Sequence, residues 1–272
     1  MRRSLSLVRR RVAETRQTFA NYPQVYLNLA LSAAKVGPKT ITFKMRDGIT
    51  MECPNVAGAR VPVYEIFSED AYRMAEMTAG LPEGFTAMDI GGQIGCFTVS
   101  MCQKRPDAIL HAFEASPVSA AIATGNVARN GYSDRATVHP IAISDKTGTL
   151  VFHDNGSGSG LNGVHGFIGD PNAMGDAEVI GEVPCVTFTD AVAQSGGDVA
   201  LVKIDTEGAE YEIILGSKPA DWATVQRVVI EYHPAPGRSW DELESFFAEA
   251  GLVPTRHEPV DVGLGTVFLS RR

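Results

Sequence analysis

The pattern of apolar and polar positions changes about a third of the way along this chain. Residues 4–35 read as one or two helices, with Pro23 as the break, because proline removes a helical hydrogen bond and clashes with the preceding turn. Leu27, Leu29, Ala30, Leu31 and Ala34 supply an apolar face, and Gly37-Pro38 ends the segment. Thr40–Met45 and Ile49–Cys53 read as a hairpin, since Asp47-Gly48 between them supplies the positive φ of a tight turn. From about residue 85 short apolar runs alternate with helical stretches. The spacing predicts strands at Thr86–Ile90, Ile109–Phe113, Thr137–Ile143, Ala200–Ile204 and Val228–Tyr232. Helices are expected over 94–105, 117–130, 208–216 and 239–250. Strand-helix alternation implies parallel strands with crossover helices, hence an α/β doubly wound sheet. Leu252–Arg256 and Gly265–Ser270 have no helix between them, which predicts an antiparallel terminal pair. Residues 154–181 interrupt the rhythm with the glycine-rich run Asn155–Gly160, read either as a substrate lid or as a plain insertion.

Composition narrows the class. The chain has 272 residues, 44% hydrophobic and 21% charged, which suits a globular fold and excludes disorder throughout. The formal charge of −8 conceals an asymmetry. Six arginines and one glutamate fall in residues 1–16, so the rest of the chain is strongly acidic. An acidic body argues against a nucleic-acid partner. No apolar run is long enough for a membrane span, and Arg9, Arg10 and Arg11 interrupt any secretory signal. A cytoplasmic protein is therefore expected. The basic start reads as a solvated helix, a lid, a homodimer contact or a weak peripheral anchor on an anionic membrane. Four cysteines (Cys53, Cys96, Cys102, Cys185) are too far apart for a paired metal motif, and a disulfide framework is not expected at this length.

Two motifs carry chemistry. Met88-Asp89-Ile90-Gly91-Gly92-Gln93-Ile94-Gly95 follows a strand and opens a helix. Gly91, Gly92 and Gly95 let the backbone turn sharply and let a ligand approach closely. Glu114 ends the next strand, where a carboxylate can accept both hydroxyl hydrogens of a ribose. That spacing suits NAD and S-adenosylmethionine. Asp89 would repel a pyrophosphate but suit an ammonium group, so the pattern favours S-adenosylmethionine. The second motif, Leu201–Glu210, ends a buried strand in Asp205 and crowds Asp205, Glu207 and Glu210 at a turn. Helix-dipole capping explains some of that charge, and strand ends are also where open α/β sheets bind ligands.

These segments, together with Phe113–Pro117, Ala142–Gly148 and Ile230–His233, resemble the FkbM-type methyltransferases over about residues 85–235. The resemblance implies a class I methyltransferase with a Rossmann-like sheet, an antiparallel C-terminal strand and S-adenosylmethionine as cofactor. It implies O-methylation of a hydroxyl on a sugar, glycolipid or polyketide-type natural product. It also implies that Glu114 binds the ribose, that Asp89 and the Gly91 backbone meet the amino-acid portion, and that Ala142 borders the adenine. Gly92-Gln93 departs from the family's more usual Ala-Asn. Residues 1–60 fall outside the resemblance and are expected to form a helical and hairpin cap on a 61–272 catalytic domain.

For the chemistry, Glu231 and His233 share one face of an alternating strand and end near Asp205. His233 is the expected base, with Asp205 or Glu231 orienting it or holding substrate. The same three residues are an oxygen/nitrogen set able to hold a divalent ion such as Mg²⁺. Lys203 reads equally as a catalytic group or an ion-pair partner. His153 and His165 flank the glycine-rich run, and Cys96 and Cys102 read as packing residues. An NAD-dependent oxidoreductase and a non-catalytic binding module are the competing readings.

Overall fold

The computed structural model describes residues 2–154 and 178–272. Helices α1 (Arg2–Thr18) and α2 (Tyr22–Ala33) lead into the hairpin β1 (Thr40–Lys44) and β2 (Thr50–Pro54). Pro23 lies in the first turn of α2, where its missing N–H costs nothing, so the break falls just before it. Helices α3 (Ala57–Phe67) and α4 (Met74–Thr78) follow, with no counterpart in the sequence pattern. Pro62 inside α3 disguises it as a loop.

The α/β unit runs β3 (Thr86–Ile90), α5 (Cys96–Lys104), β4 (Ile109–Phe113), α6 (Pro117–Arg129), β5 (Ala136–His139), β6 (Ala142–Ser144), β7 (Gly148–Asp154) and β8 (Glu178–Thr187). It continues with α7 (Phe188–Gln194), β9 (Val199–Ile204), α8 (Glu210–Leu215), β10 (Arg227–Tyr232), α9 (Trp240–Glu249), β11 (Leu252–Asp261) and β12 (Leu264–Arg271). The main sheet has the order β11-β12-β10-β9-β3-β4-β5. Its five strands from β10 to β5 are parallel, and β12 runs antiparallel between β10 and β11. The expected doubly wound sheet with an antiparallel C-terminal strand is what the chain forms. One strand needs correction. The apolar stretch Thr137–Ile143 is two strands, because Pro140 breaks it; β5 ends the main sheet, while β6 joins a second sheet of order β6-β8-β7. The glycine-rich run Asn155–Gly160 and His165 beyond it lie outside the described residues.

The hairpin is seated by side chains in place of a third strand. Asn126 on α6 and Asn130 at its C-terminal cap, four residues apart, act as a surrogate partner for the edge of β2. Asn126 donates to the Glu52 carbonyl and accepts the Glu52 N–H, at 2.9 and 2.8 Å. Asn130 does the same at Thr50, at 2.8 and 2.9 Å. Asn126 also donates to the Ile94 carbonyl at 2.9 Å, so the hairpin is tied to the glycine turn. One apolar cluster continues from Phe19 and Phe43 through Val63, Phe97 and Leu110 to Leu201 and Val229. At the start of the chain, Arg10 and Arg11 pair with Glu69 after α3, at 2.9 and 2.7 Å.

The centre of the sheet contains a buried charge. Every residue of β9 is buried, Lys203 included. Its ammonium lies 3.2 Å from Asp89, donates to the Gly91 carbonyl at 2.7 Å, and lies 3.8 Å from Asp205. Asp89 is fully buried and also accepts from Thr98 at 2.7 Å. Burial alone would depress the lysine, but Asp89 and Asp205 outweigh it and hold it above the ordinary lysine range. Removing one member leaves the other charged and dry. Lys203→Met should cost about 3–5 kcal/mol, read as a lower denaturant midpoint in urea. A loss below about 1 kcal/mol would show that Asp89 does not need the lysine.

Candidate functional site

The carboxyl ends of β3, β4, β9 and β10 open into a cavity of about 530 Å³. The sheet reverses its winding between β3 and β9, which is where open α/β sheets bind ligands. Gly91, Gly92 and Gln93 form the turn at its floor. Gly91 takes φ +78°, and a Cβ there would stand 1.8 Å from the Asp205 carbonyl oxygen. Only glycine lets the β3 turn pass beneath the end of β9. Gly91 and Gly92 both donate to the Phe113 carbonyl, at 3.0 and 3.1 Å, which fixes the turn beside β4.

Glu114 lies at the next strand end and lines the cavity. Its two oxygens accept the Gln93 and Ser116 N–H groups, each at 2.8 Å. Burial pushes its carboxyl up to about 7, although those N–H groups pull the other way. The carboxylate is thus aimed, with lone pairs left for a ligand's hydroxyls. Phe113, Ile141 and Ala142 form an apolar wall beside it. The cavity therefore offers a close-approach backbone turn, a fixed carboxylate and an apolar slot. That donor set fits an adenosyl group attached to a polar tail.

Asp89 and Gly95 do not line the cavity. Asp89 faces inward onto Lys203 and Thr98, and Gly95 opens α5 against Ala123 with φ +84°. Direct contact between Asp89 and a cofactor's ammonium is therefore replaced by an internal ion pair. Lys203 is that pair's other half, the blander of its two expected roles.

Across the cavity stand Asp205, Glu207, Glu231 and His233. Asp205 accepts the Tyr72 hydroxyl at 3.0 Å. Glu207 is forced to φ +55° by the turn between β9 and α8. His233 Nδ1 lies 3.1 Å from Glu210, its Nε2 is 3.4 Å from Glu207, and Glu231 is 4.0 Å away. Glu210 is fully buried and also accepts the Thr206 and Gly208 N–H groups, at 2.9 and 3.1 Å. Burial alone would depress His233, but the Glu210 hydrogen bond and charge win and push it up to about 10. Burial and then Asp205 raise Glu207 to about 8 and Glu231 to about 7.

Asp205, Glu207 and His233 each bring a ligating atom within 4.8 Å of the others. Glu207 thus takes the place expected for Glu231 in a metal set. His233 Nδ1 is held by Glu210, so Nε2 is the atom a metal would meet.

Two contributors escaped the sequence pattern, and a third was visible there without its partner. Glu65 on α3 and Tyr72 after it line the cavity from outside the recognised segments, and Glu210 fixes His233 from beneath. Glu65 and Tyr72 sit on irregular, proline-containing sequence with no strand end to flag them. Glu210 was visible as one of three crowded acids, but its partner lies on another strand. Among the described residues no helix is long and apolar enough to cross a membrane.

Residues 89–253 match the model of the methyltransferase FkbM domain. The chain is 27% identical over 247 residues to the 31-O-demethyl-FK506 methyltransferase FkbM of Streptomyces tacrolimicus, covering 82% of this chain and 93% of that protein. It is 31% identical over 140 residues to the 2-O-methyltransferase NoeI of Sinorhizobium fredii (strain NBRC 101917 / NGR234), covering 48% and 56%. Among solved structures, a putative transferase from Pyrococcus horikoshii superposes with a TM-score of 0.46 at 12% identity, covering 86% of this chain and 71% of that one. The matched domain spans more than half of the chain and contains both strand-end motifs, and the chain belongs to the FkbM methyltransferase family.

Proposed function

We propose that this methyltransferase uses S-adenosylmethionine to methylate a hydroxyl of a sugar, glycolipid or polyketide-type natural product. The observation that carries the reading is Glu114, buried, aimed by two N–H groups and facing the cavity beside the Gly91–Gly92 turn. Two relatives bear names that specify O-methyl transfer. When bound, the cofactor supplies an electrophilic methyl group next to a positive sulfonium.

The chain's own residues do the rest. Glu114 holds the ribose hydroxyls, and Phe113, Ile141 and Ala142 enclose the adenine. Residues 1–60 act as a cap on the 61–272 catalytic domain. A hydroxyl must lose its proton as it takes the methyl, so the site needs a base. His233 is held protonated by Glu210 and is a poor proton acceptor in this state. Glu207 and Glu231 are raised toward neutrality by burial and then by Asp205, into the range where a carboxylate can take a proton, so either can act as the acceptor. His233 then positions this pair, with Asp205 holding the far side of the acceptor hydroxyl. A divalent ion on Asp205, Glu207 and His233 Nε2 would displace the His233 proton on binding and would supply Lewis-acid help in lowering the hydroxyl's pKa.

Calorimetry with S-adenosylhomocysteine and NAD tests the cofactor. Micromolar binding of the former without the latter is expected, and the reverse result would return the oxidoreductase reading. Ribose hydroxyls favour the ionised carboxylate, so affinity should rise between about pH 6 and about pH 8 as Glu114 sheds its proton. Glu114→Gln should weaken binding by roughly 1.5–3 kcal/mol and flatten that rise.

Proton NMR of the His233 ring tests the base. The ring should remain charged at about pH 8; titration near the ordinary histidine value of about 6.5 would restore His233 as the acceptor.

A further inference from the structure

An ammonium group buried beside a sulfonium needs a carboxylate, and the residue expected to supply it is already taken. Asp89 is sealed beneath the turn with Lys203 and Thr98. The other acids of the cavity are accounted for as well. Glu114 is committed by two backbone N–H groups on the ribose side. Asp205 accepts from Tyr72 and lies 3.8 Å from Lys203. Glu207 and Glu231 both face His233.

Glu65 is different. It stands on the cavity face of α3 with Gly58, Val61 and Pro62, and it lines the cavity with Tyr72 and Gly91. Among the described residues its carboxylate makes no hydrogen bond or ion pair. The arginine within its electrostatic reach, Arg11, is occupied by Glu69 and Glu14 at 2.7 and 3.1 Å. The Glu65 charge is also felt at Tyr72, Cys96 and Glu231, all of which line the same cavity.

Accepting the S-adenosylmethionine reading above, we infer that Glu65 binds the cofactor's α-ammonium group. The cofactor then spans the turn, with its ribose on Glu114 and its amino-acid end on Glu65. Lys203, the other cation within reach, is held by Asp89 and the Gly91 carbonyl, so an ammonium ion gives Glu65 the direct partner it lacks, and the partly enclosed site makes that pair stronger than one in open water. Glu65 precedes the matched residues 89–253, so part of the cofactor site is built by the N-terminal half of the chain.

The test is a cycle of two ligands and two proteins, read by calorimetry on the full chain. S-adenosylhomocysteine is compared with its analogue lacking only the amino group, on the native protein and on Glu65→Gln. Loss of the amino group should weaken binding to the native protein about tenfold or more. It should change binding to Glu65→Gln less than about threefold. The deaminated analogue also reports whether the variant retains its fold, and Glu65→Ala run in parallel should behave as Glu65→Gln does. An equal penalty in native protein and variant overturns the assignment to Glu65, as does no penalty in either. If neither ligand binds the native protein, the cofactor reading itself falls, and this inference with it.

Discussion

The structure is organised around one ammonium group. Lys203 lies one residue from the carboxyl end of a strand whose every other residue is an apolar core former. A lone charge there would be prohibitively costly, so the surrounding structure must pair it. Asp89 does this from β3, and the Gly91 carbonyl accepts a further bond. The pair joins the two strands at the switch point of the sheet and draws the glycine turn down onto the end of β9. Gly91 must be glycine because this closure leaves no room for a Cβ. The floor of the cavity is thus a consequence of satisfying a buried lysine.

Charge balance then divides the acids at the strand ends into separate duties. Acids that find a cation inside the protein become structural, as Asp89 and Glu210 do. Glu210 is kept ionised by His233 and by backbone N–H groups, against the pull of burial. Acids that face the cavity are raised by burial and by one another, which moves Glu207 and Glu231 toward the range where proton transfer is useful. Glu114 lies between these classes, aimed by N–H donors yet open to a ligand. The acids that line the cavity thus stand where a cationic cofactor would offset them.

The fold was largely legible. Alternating short apolar runs and helical stretches placed β3, β4, β9 and β10 to within a residue, because buried parallel strands leave an unmistakable apolar signature. Pro140 divided a stretch that hydrophobicity alone made continuous. Helix α3 was hidden by Pro62, and the pairing of β2 with Asn126 and Asn130 left no periodic trace. In the site, Glu114, Asp205, Glu231 and His233 were found because strand ends announce themselves. Glu65 and Tyr72 come from irregular sequence, where proximity is decided entirely by packing.

By itself the sequence determined the doubly wound main sheet, the glycine turn and the family, since these follow from local periodicity and contiguous motifs. Only the tertiary structure decided which charges meet. It buried Asp89 against Lys203, gave His233 to Glu210, and brought Glu65 to the cavity from outside the motif-bearing segment. The reason is electrostatic: a carboxylate's role depends on its desolvation and its nearest cation. Both are set by contacts between residues far apart in the chain, which no run of neighbouring letters encodes.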